Sequence, residues 1–378
     1  MKTYRIASIP GDGIGKEVIA AGVEVLNALA EKENFKLAFE SFDWGSERFL
    51  RTGAYIPDGG LERLKTFDAI FFGAVGSPDV PDHVSLWGLR LPICQGFDQY
   101  ANVRPSRVLP GVTSPLKNGE AIDWVIVREN SEGEYSGSGG RVHKGLPEEI
   151  ATETSVFTRV GVERIHRFAF ELAKKRPRRH LTLVTKSNAQ RHGMVLWDEI
   201  FYEVAKKYPD VQTDRVLVDA MTTRMVLKPE SIDTIVASNL HADILSDLAA
   251  ALSGSLGIAP TANLNPERKF PSMFEPIHGS AFDITGKGIA NPIATFWTAA
   301  MMLDHLGEPK AAARIMKAIE LVDVPDPDPA LEPASVEPPP HALSVSAPSA
   351  RMMAARRLDL GTDGRRFMFS PCSGAPEI

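Results

Sequence analysis

The feature that most constrains this fold is a repeated alternation of short apolar runs with helix-like segments. The first run, 4–9, leads through the glycine-rich turn 11–15 into a segment whose apolar residues recur at helical spacing. That apolar face consists of Val18, Ile19, Val25, Leu26 and Leu29. Further apolar runs follow at 69–72, 124–127, 181–184 and 216–218. Such alternation is typical of a layered α/β protein, in which helices cover a central sheet.

Charged side chains follow three of these runs, at the points where the predicted strands end. The residues are Arg128, Lys186 and Asp219. Ligands of open α/β sheets bind outside the carboxyl ends of the strands, so we expect these side chains to converge on one site. Taken singly, each has a simpler interpretation: Asp219 as a helix cap, and Arg128 as half of a surface salt bridge.

The composition limits the classes of function. The chain has 378 residues, 43% of them hydrophobic and 24% charged, which predicts a soluble globular protein of two or three domains. A net charge of −6 argues against nucleic-acid or anionic-membrane binding. No apolar run approaches the ~18 residues of a membrane span, and residues 1–5 do not resemble a secretion signal. The two cysteines, Cys94 and Cys372, cannot form a disulfide framework, so we expect the protein to be located in a reducing cytoplasm.

Residues 322–378 differ from the rest of the chain. They contain ten of the 28 prolines and show neither helical nor strand periodicity. This composition predicts a Pro-rich, poorly ordered tail after the folded part.

Two aspartates, Asp243 and Asp247, are spaced four residues apart in an apolar segment. On a helix their carboxylates would lie on one face about 6 Å apart, where they repel each other unless a cation lies between them. A hard divalent cation with oxygen ligands satisfies this requirement. The alternative is a helical turn near the N-terminus, which favours acidic residues without any metal.

Four basic or phenolic residues are candidates for substrate binding and proton transfer. The guanidinium groups of Arg104 and Arg128 suit small carboxylates. Tyr135 and Lys186 can exchange protons where a nearby charge shifts their pKa. For each residue alone, a structural role remains the alternative.

Two glycine-rich segments are candidates for nucleotide binding. Segment 11–15 is one residue short of the Rossmann fingerprint and lacks its acidic ribose-binding residue, so we do not predict a Rossmann fold. Segment 275–292 offers small residues, backbone N–H groups for phosphate, and Asp283 as an acceptor for ribose hydroxyls. His278 within it would, taken alone, be a packed loop histidine.

Together, the aspartate pair 243–247 and segment 275–292 resemble the β-decarboxylating dehydrogenases, the isopropylmalate and isocitrate dehydrogenase family. The similarity extends from residue 6 to about 320. It implies an α/β fold of two domains with mixed sheets, not a Rossmann fold. The dinucleotide-binding domain would comprise 1–103 plus 255–321, and the substrate and dimerisation domain 104–254. It also implies a homodimer with a shared active site.

The resemblance implies roles for the individual residues. Arg104 and Arg128 would bind substrate carboxylates, and Tyr135 and Lys186 would be the acid–base pair. Asp219, Asp243 and Asp247 would hold Mg²⁺ or Mn²⁺, with Lys186 and Asp219 contributed by the neighbouring subunit. The cofactor pocket would consist of Ile14, Asn188, Glu275, His278, Gly279, Ser280, Ala281, Asp283 and Asn291. A carboxylate at Asp283 repels a 2′-phosphate, which predicts NAD over NADP. K⁺ is a further candidate cofactor.

Substrate choice is expected to depend on the segment before Arg104. Trp87 would fill the side-chain pocket and leave room only for hydrogen or hydroxyl. Family members usually carry an arginine where this chain has Cys94, and Arg90 is a candidate substitute. Segments 80–88 and 97–100 resemble the tartrate and D-malate branch, which implies NAD-dependent oxidation and decarboxylation of small 2-hydroxy diacids. The alternatives are a 3-isopropylmalate dehydrogenase and a catalytically impaired nucleotide-binding member.

Overall fold

The computed structural model describes residues 1–321, so the predicted Pro-rich tail lies outside the described residues. The strands are β1 (Lys2–Gly11), β2 (Phe35–Ser41), β3 (Ala69–Ala74), β4 (Ala101–Arg107), β5 (Asp123–Glu129), β6 (Gly133–Val142), β7 (Ile150–Val156), β8 (His180–Thr185), β9 (Gln212–Leu217), β10 (Thr234–Ala237), β11 (Pro260–Leu264) and β12 (Ser272–Pro276). The helices are α1 (Gly15–Glu33), α2 (Ser46–Thr52), α3 (Gly60–Leu64), α4 (Asp82–Ser85), α5 (Leu91–Gly96), α6 (Arg159–Lys175), α7 (Gly193–Ala205), α8 (Val218–Leu227), α9 (Asn239–Leu252), α10 (Ile293–His305) and α11 (Pro309–Leu321). Within residues 1–321, no helix is both long and apolar enough to cross a membrane.

Ten strands form one mixed sheet in the order β2-β1-β3-β12-β11-β4-β5-β10-β8-β9. The outer strand pairs are parallel, whereas the three central pairs β12–β11, β11–β4 and β4–β5 are antiparallel. Strands β6 and β7 form a separate two-stranded antiparallel ribbon. The predicted α/β fold with mixed strand pairing is confirmed.

The strand order relates directly to the predicted domains. The first six strands in the sheet belong to the predicted dinucleotide-binding part, except that β4 extends past residue 103, and the last four belong to the other part. We expected a mixed sheet in each domain, but the strands form one continuous sheet, because β4 pairs with β11 at one edge and β5 at the other. The domain boundaries themselves remain a prediction.

Helices cover both faces of the sheet because strand side chains alternate in direction. In β1, Ile6 packs on the face covered by α1, α10 and α11, whereas Ala7 and Ile9 pack on the opposite face with Trp44 and Tyr55. The predicted apolar face of α1 is buried at Val18, Ile19, Leu26 and Leu29, and Val25 is only partly buried. Two further apolar clusters cover the β5–β10–β8 half.

The predicted strand 216–218 ends one residue early. Strand β9 ends at Leu217, and Val218 begins α8, so Asp219 lies in the first turn of a helix and does not close a strand. A carboxylate is favoured there by the partial positive charge of the helix N-terminus.

The basic run 174–179 lies at the C-terminal end of α6 and the turn that follows it. Arg176 Nε donates to Asp233 Oδ1 at 2.5 Å, and Arg178 Nη2 donates to the carbonyl oxygen of Asp123 at 2.8 Å. Lys174 and Arg179 each lie 3.8 Å from Asp210. Acids and carbonyl oxygens of the same chain therefore offset the positive charge of this run.

Candidate active site

Two buried arginines on neighbouring antiparallel strands converge on one carboxylate. Arg104 lies on β4 and Arg128 on β5, with side chains only 7% and 3% exposed. Arg104 Nη1 donates to Asp243 Oδ1 at 3.2 Å and to Ser246 Oγ at 2.5 Å. Arg128 donates to the same Asp243 oxygen and, through Nε, to Asn239 Oδ1 at 2.8 Å. Two guanidinium groups that share one carboxylate leave a positive site suited to small dicarboxylates.

The electrostatics of this cluster follow from its burial. Burial and the neighbouring Arg128 lower the pKa of Arg104 to about 10. Burial alone would raise the pKa of Asp243, but Arg128, Arg104 and Arg90 outweigh it and hold that pKa below its usual value. Asp243 is therefore ionised at neutral pH.

Tyr135, on β6, faces the same carboxylate. Its hydroxyl donates to Asp243 Oδ2 at 3.1 Å, and the guanidinium carbon of Arg128 lies 5.2 Å from the centre of its ring. Burial, followed by the negative charge of Asp243, raises the pKa of Tyr135. The phenol consequently carries a proton at neutral pH and is placed beside the arginine pair, as a proton donor would require.

Asp243 and Asp247 lie on successive turns of α9, with side chains 34% and 60% exposed. Asp247 Oδ1 is 4.0 Å from Arg104 Nη1, so both carboxylates border the arginine site. Burial and the charge of Asp243 raise the pKa of Asp247. Two adjacent carboxylates provide the oxygen donors that a hard divalent cation such as Mg²⁺ or Mn²⁺ prefers, although both oxygens of Asp243 here accept hydrogen bonds from Arg104, Arg128 and Tyr135.

Asp219 does not join these two acids within one chain. Among residues 1–321, no group of three His, Cys, Asp or Glu side chains is arranged to hold a metal. Asp219 is largely exposed and forms an ion pair with Lys186 Nζ, which lowers the pKa of Asp219. The shared site, in which Lys186 and Asp219 reach a second subunit, remains a prediction.

Trp87 lies in a π-helical turn, Leu86–Arg90, between α4 and α5. Its side chain is close to β6: a Cβ atom added to Gly137 would lie 2.9 Å from the end of the Trp87 ring. Gly137 is two residues from Tyr135, and Trp87 keeps 41% of its surface exposed. The indole therefore lies beside the strand that carries Tyr135, where it can restrict the size of a bound ligand.

Arg90 ends the same π-helical turn and is buried. Its Nε donates to Glu275 Oε1 at 2.8 Å, so its charge is paired with a carboxylate on β12, at the start of segment 275–292. Burial opposes the charge of Arg90, but Glu275 outweighs burial and raises the pKa of Arg90. Cys94, one helical turn later, is also buried, and burial raises the pKa of its thiol to about 11.

The loop after β12 and the turn after β1 form a cradle lined by backbone. Ile14 N donates to the carbonyl oxygen of Ser280 at 2.8 Å, and a Cβ atom on Gly13 would lie only 2.0 Å from that oxygen. At Gly279, by contrast, a Cβ atom would meet nothing within 4 Å. His278 Nε2 is buried and has no hydrogen-bond partner within the described residues. An open backbone cradle with an unpaired ring nitrogen suits a nucleotide.

The other predicted cofactor residues are placed as follows. Ala281 adopts a positive φ of 40°, and Asp283 is exposed in the turn after it. Asn291 is also exposed, and its Oδ1 accepts from the backbone N–H of Ile293 at the start of α10. Asn188 is exposed in the turn that contains Lys186, and no described contact joins it to the 278–291 loop. Its role in the cofactor site stays a prediction.

Sequence reasoning missed the polar side chains that support the arginines. Asn102 lies two residues before Arg104 on the same strand, so its side chain is on the same face, and this spacing could have revealed it. Asn239 and Ser246 flank Asp243 on α9. Asn263, on β11, belongs to no motif, and only the sheet register brings it opposite Asn102.

Comparisons with known proteins agree with this geometry. A family model described as isocitrate/isopropylmalate dehydrogenase matches residues 5–322. The chain is 71% identical over 326 residues to a probable tartrate dehydrogenase/decarboxylase of Agrobacterium vitis, covering 85% of this chain and 91% of that protein. It is 57% identical over 311 residues to D-malate dehydrogenase (decarboxylating) of Escherichia coli strain K12, covering 81% and 86%.

A solved structure gives the same result. The isocitrate dehydrogenase of Methylococcus capsulatus superposes with a TM-score of 0.76 at 38% identity, covering 84% of this chain and 91% of that one. The family match, the sequence identity and the fold all lead to one conclusion: this chain belongs to the isocitrate/isopropylmalate dehydrogenase family.

Proposed function

We propose that this chain is an NAD-dependent, divalent-metal-dependent dehydrogenase that oxidises and decarboxylates small 2-hydroxy diacids, tartrate and D-malate. One observation carries the proposal: Arg104, Arg128 and Tyr135 converge on Asp243 at the border of a positively charged site. The names of the similar proteins from Agrobacterium vitis and Escherichia coli support the choice of tartrate and D-malate.

In this proposal, one group of residues binds the substrate and another group transfers protons. Arg104 and Arg128 bind the substrate carboxylates, whereas Glu275 offsets the charge of the nearby Arg90. Lys186 accepts the proton of the substrate hydroxyl. The hydrogen on the carbon that bears this hydroxyl would leave as hydride, for which NAD⁺ would be the acceptor. After CO₂ leaves, the Tyr135 hydroxyl delivers its proton to the resulting carbanionic carbon. Its raised pKa keeps that proton available at neutral pH.

The two cofactors are assigned by the chemistry of their surroundings. Asp243 and Asp247 would hold Mg²⁺ or Mn²⁺, which supplies Lewis-acid stabilisation of negative charge when bound. The cradle of Ile14, His278 and Ser280 would hold NAD⁺, which supplies the hydride acceptor. Asp283 disfavours a 2′-phosphate in that cradle.

The shape of the site favours four-carbon diacids over isopropylmalate. Trp87 lies beside Gly137, near Tyr135, where a branched apolar substituent would have to fit. The runner-up, 3-isopropylmalate dehydrogenase, would require an apolar pocket there, free of so large a ring. A catalytically impaired member is the other alternative.

We further propose a homodimer. Within residues 1–321 the ribbon β6–β7 pairs with no strand of the main sheet, and it exposes Val142 and Ile150. An isolated two-stranded ribbon is marginally stable in water, so a partner surface would stabilise it. Ile244, on α9 between the two aspartates, is a second exposed apolar side chain next to the site. A dimer would also allow Lys186 and Asp219 of one subunit to complete the site of the other.

A cytoplasmic location suits the buried free thiol of Cys94.

The test is NADH formation, followed at 340 nm, with tartrate, D-malate, isocitrate and 3-isopropylmalate, each with and without Mn²⁺. We expect turnover of tartrate or D-malate that a chelator abolishes and Mn²⁺ restores. Better turnover of 3-isopropylmalate would reject the substrate assignment. A folded dimer that is inactive on all four acids would favour the impaired alternative.

A further inference from the structure

Asn263 lies at the centre of a buried hydrogen-bond network between the arginine site and Glu275. Its Oδ1 accepts from Asn102 Nδ2 at 2.7 Å, from Asn130 Nδ2 at 3.1 Å and from Arg90 Nη2 at 3.3 Å. The side chain is fully buried, as is that of Asn102. One amide oxygen therefore receives donors from three separate segments of the chain.

The amide nitrogen of Asn263 faces Glu275, on the side of the proposed cofactor site. Its Nδ2 donates to Glu275 Oε1 at 2.8 Å, the same oxygen that accepts from Arg90 Nε at 2.8 Å. Asn263, Arg90 and Glu275 thus form a closed triangle of hydrogen bonds. Three donors around the oxygen and a carboxylate beside the nitrogen fix the orientation of the amide.

The network continues without interruption to the proposed metal ligand. Asn102 Oδ1 accepts from Arg104 Nε at 2.9 Å, and Arg104 Nη1 donates to Asp243 at 3.2 Å. Direct hydrogen bonds therefore connect Asp243 on α9 to Glu275 on β12. In a buried network, breaking one bond leaves a polar group unpaired at a substantial free-energy cost, so the members tend to move together.

We propose that Asn263 is a positioning residue that couples diacid binding at Arg104 to dinucleotide binding beside Glu275. The inference rests on the proposed function, because it takes the arginine side as the diacid site and the Glu275 side as the dinucleotide site. When the diacid binds Arg104, the Arg104 side chain moves. Its hydrogen bonds transmit that movement through Asn102 and Asn263 to Glu275 and Arg90. Each ligand thereby raises the affinity for the other by the same factor.

The experiment measures that factor in the full chain. NADH affinity is determined by fluorescence titration in the presence of Mn²⁺, with and without D-malate; both compounds are already reduced, so no reaction occurs between them. We expect the wild-type chain to bind NADH about 5- to 150-fold more tightly with D-malate. Asn263→Asp places an oxygen where Nδ2 faces Glu275, so we expect the factor to fall to about 1.

Two further variants separate coupling from folding. Asn263→Ser removes the same bonds without adding charge, and it should also abolish the coupling. Asn265→Asp is the matched control: Asn265 is also buried, directly after the same strand, but within residues 1–321 its side chain bonds only to backbone atoms. It should lower the melting temperature while leaving the coupling factor unchanged.

The outcomes distinguish this inference from the proposed function. A wild-type chain that turns over D-malate yet shows no coupling overturns the inference alone, as does unchanged coupling in a folded Asn263 variant. Equal loss of coupling in Asn265→Asp would reduce Asn263 to a structural role. A wild-type chain that neither binds nor oxidises any diacid overturns the proposed function, and the inference with it.

Discussion

Replacing Arg128 by lysine tests whether the proposed substrate site needs the planar guanidinium group of Arg128 or only its positive charge. Arg128 donates simultaneously to Asp243 and Asn239, and its plane lies beside the Tyr135 ring. Lysine keeps the charge but cannot serve both acceptors from one planar group. The loss of one hydrogen bond to a charged group is worth about 1.5–3 kcal/mol. We therefore expect kcat/KM for D-malate or tartrate to fall by about 10- to 150-fold.

The assay is NADH formation at saturating NAD⁺ and Mn²⁺, with the melting temperature measured in parallel. Arg176→Lys is the matched control, since Arg176 also bridges two acceptors, Asp233 and the carbonyl oxygen of Asp123, but outside the site. It should lose stability and keep its kcat/KM. If Arg128→Lys retains full activity, or if both variants lose activity equally, the fork at Arg128 is not what binds the substrate.

Three further predictions follow from the described contacts. Tyr135→Phe keeps the ring beside Arg128 and removes only the proton donor, so kcat should fall by about 10²- to 10⁴-fold with little change in melting temperature; an unchanged kcat would exclude Tyr135 as the acid. Asp283→Ser should raise the NADP⁺-to-NAD⁺ ratio of kcat/KM at least about tenfold, and an unchanged ratio would remove Asp283 from cofactor choice. Burial lowers the pKa of His166 to about 3, below its unfolded value of about 6.5. The unfolded state therefore binds more protons, and stability should fall by about 1.4 kcal/mol per pH unit as pH decreases from 6.5 toward 3. Urea unfolding of His166→Phe should show a flatter pH profile over that range, and an identical profile would contradict the assignment.

Strands β1, β3, β5, β8 and β9 and helix α1 were located from the sequence because apolar runs and period-3.6 patterns are local properties, whereas the joining of all ten strands into one sheet was not predicted. The apolar run 69–72 and the helix that begins at Gly15 were located from a few neighbouring residues. The end of β9 was misplaced because Val218 suits a strand and a helix start equally, and the backbone turn after Leu217 decides between them. Element boundaries depend on tertiary contacts that such patterns do not contain.

The charged members of the site were predictable, whereas their supporting amides were not. Asp243 and Asp247 share a helix face, so their spacing alone places them together. Asn263 and Asn102 are far apart in the chain and meet only through the antiparallel register of β11 and β4. The salt bridge from Arg90 to Glu275 likewise requires the fold to bring a helical turn against a distant strand.

The continuous sheet has a mechanical consequence for any opening or closing of the molecule. Because β4 is hydrogen-bonded along both edges, a rotation of one half of the sheet relative to the other would have to change the twist between adjacent strands. Arg104 and Asn102 are on the strand that would be sheared, with Asn263 directly across from it. A few degrees of torsion there would reorient Arg104 and Asn263 in one motion.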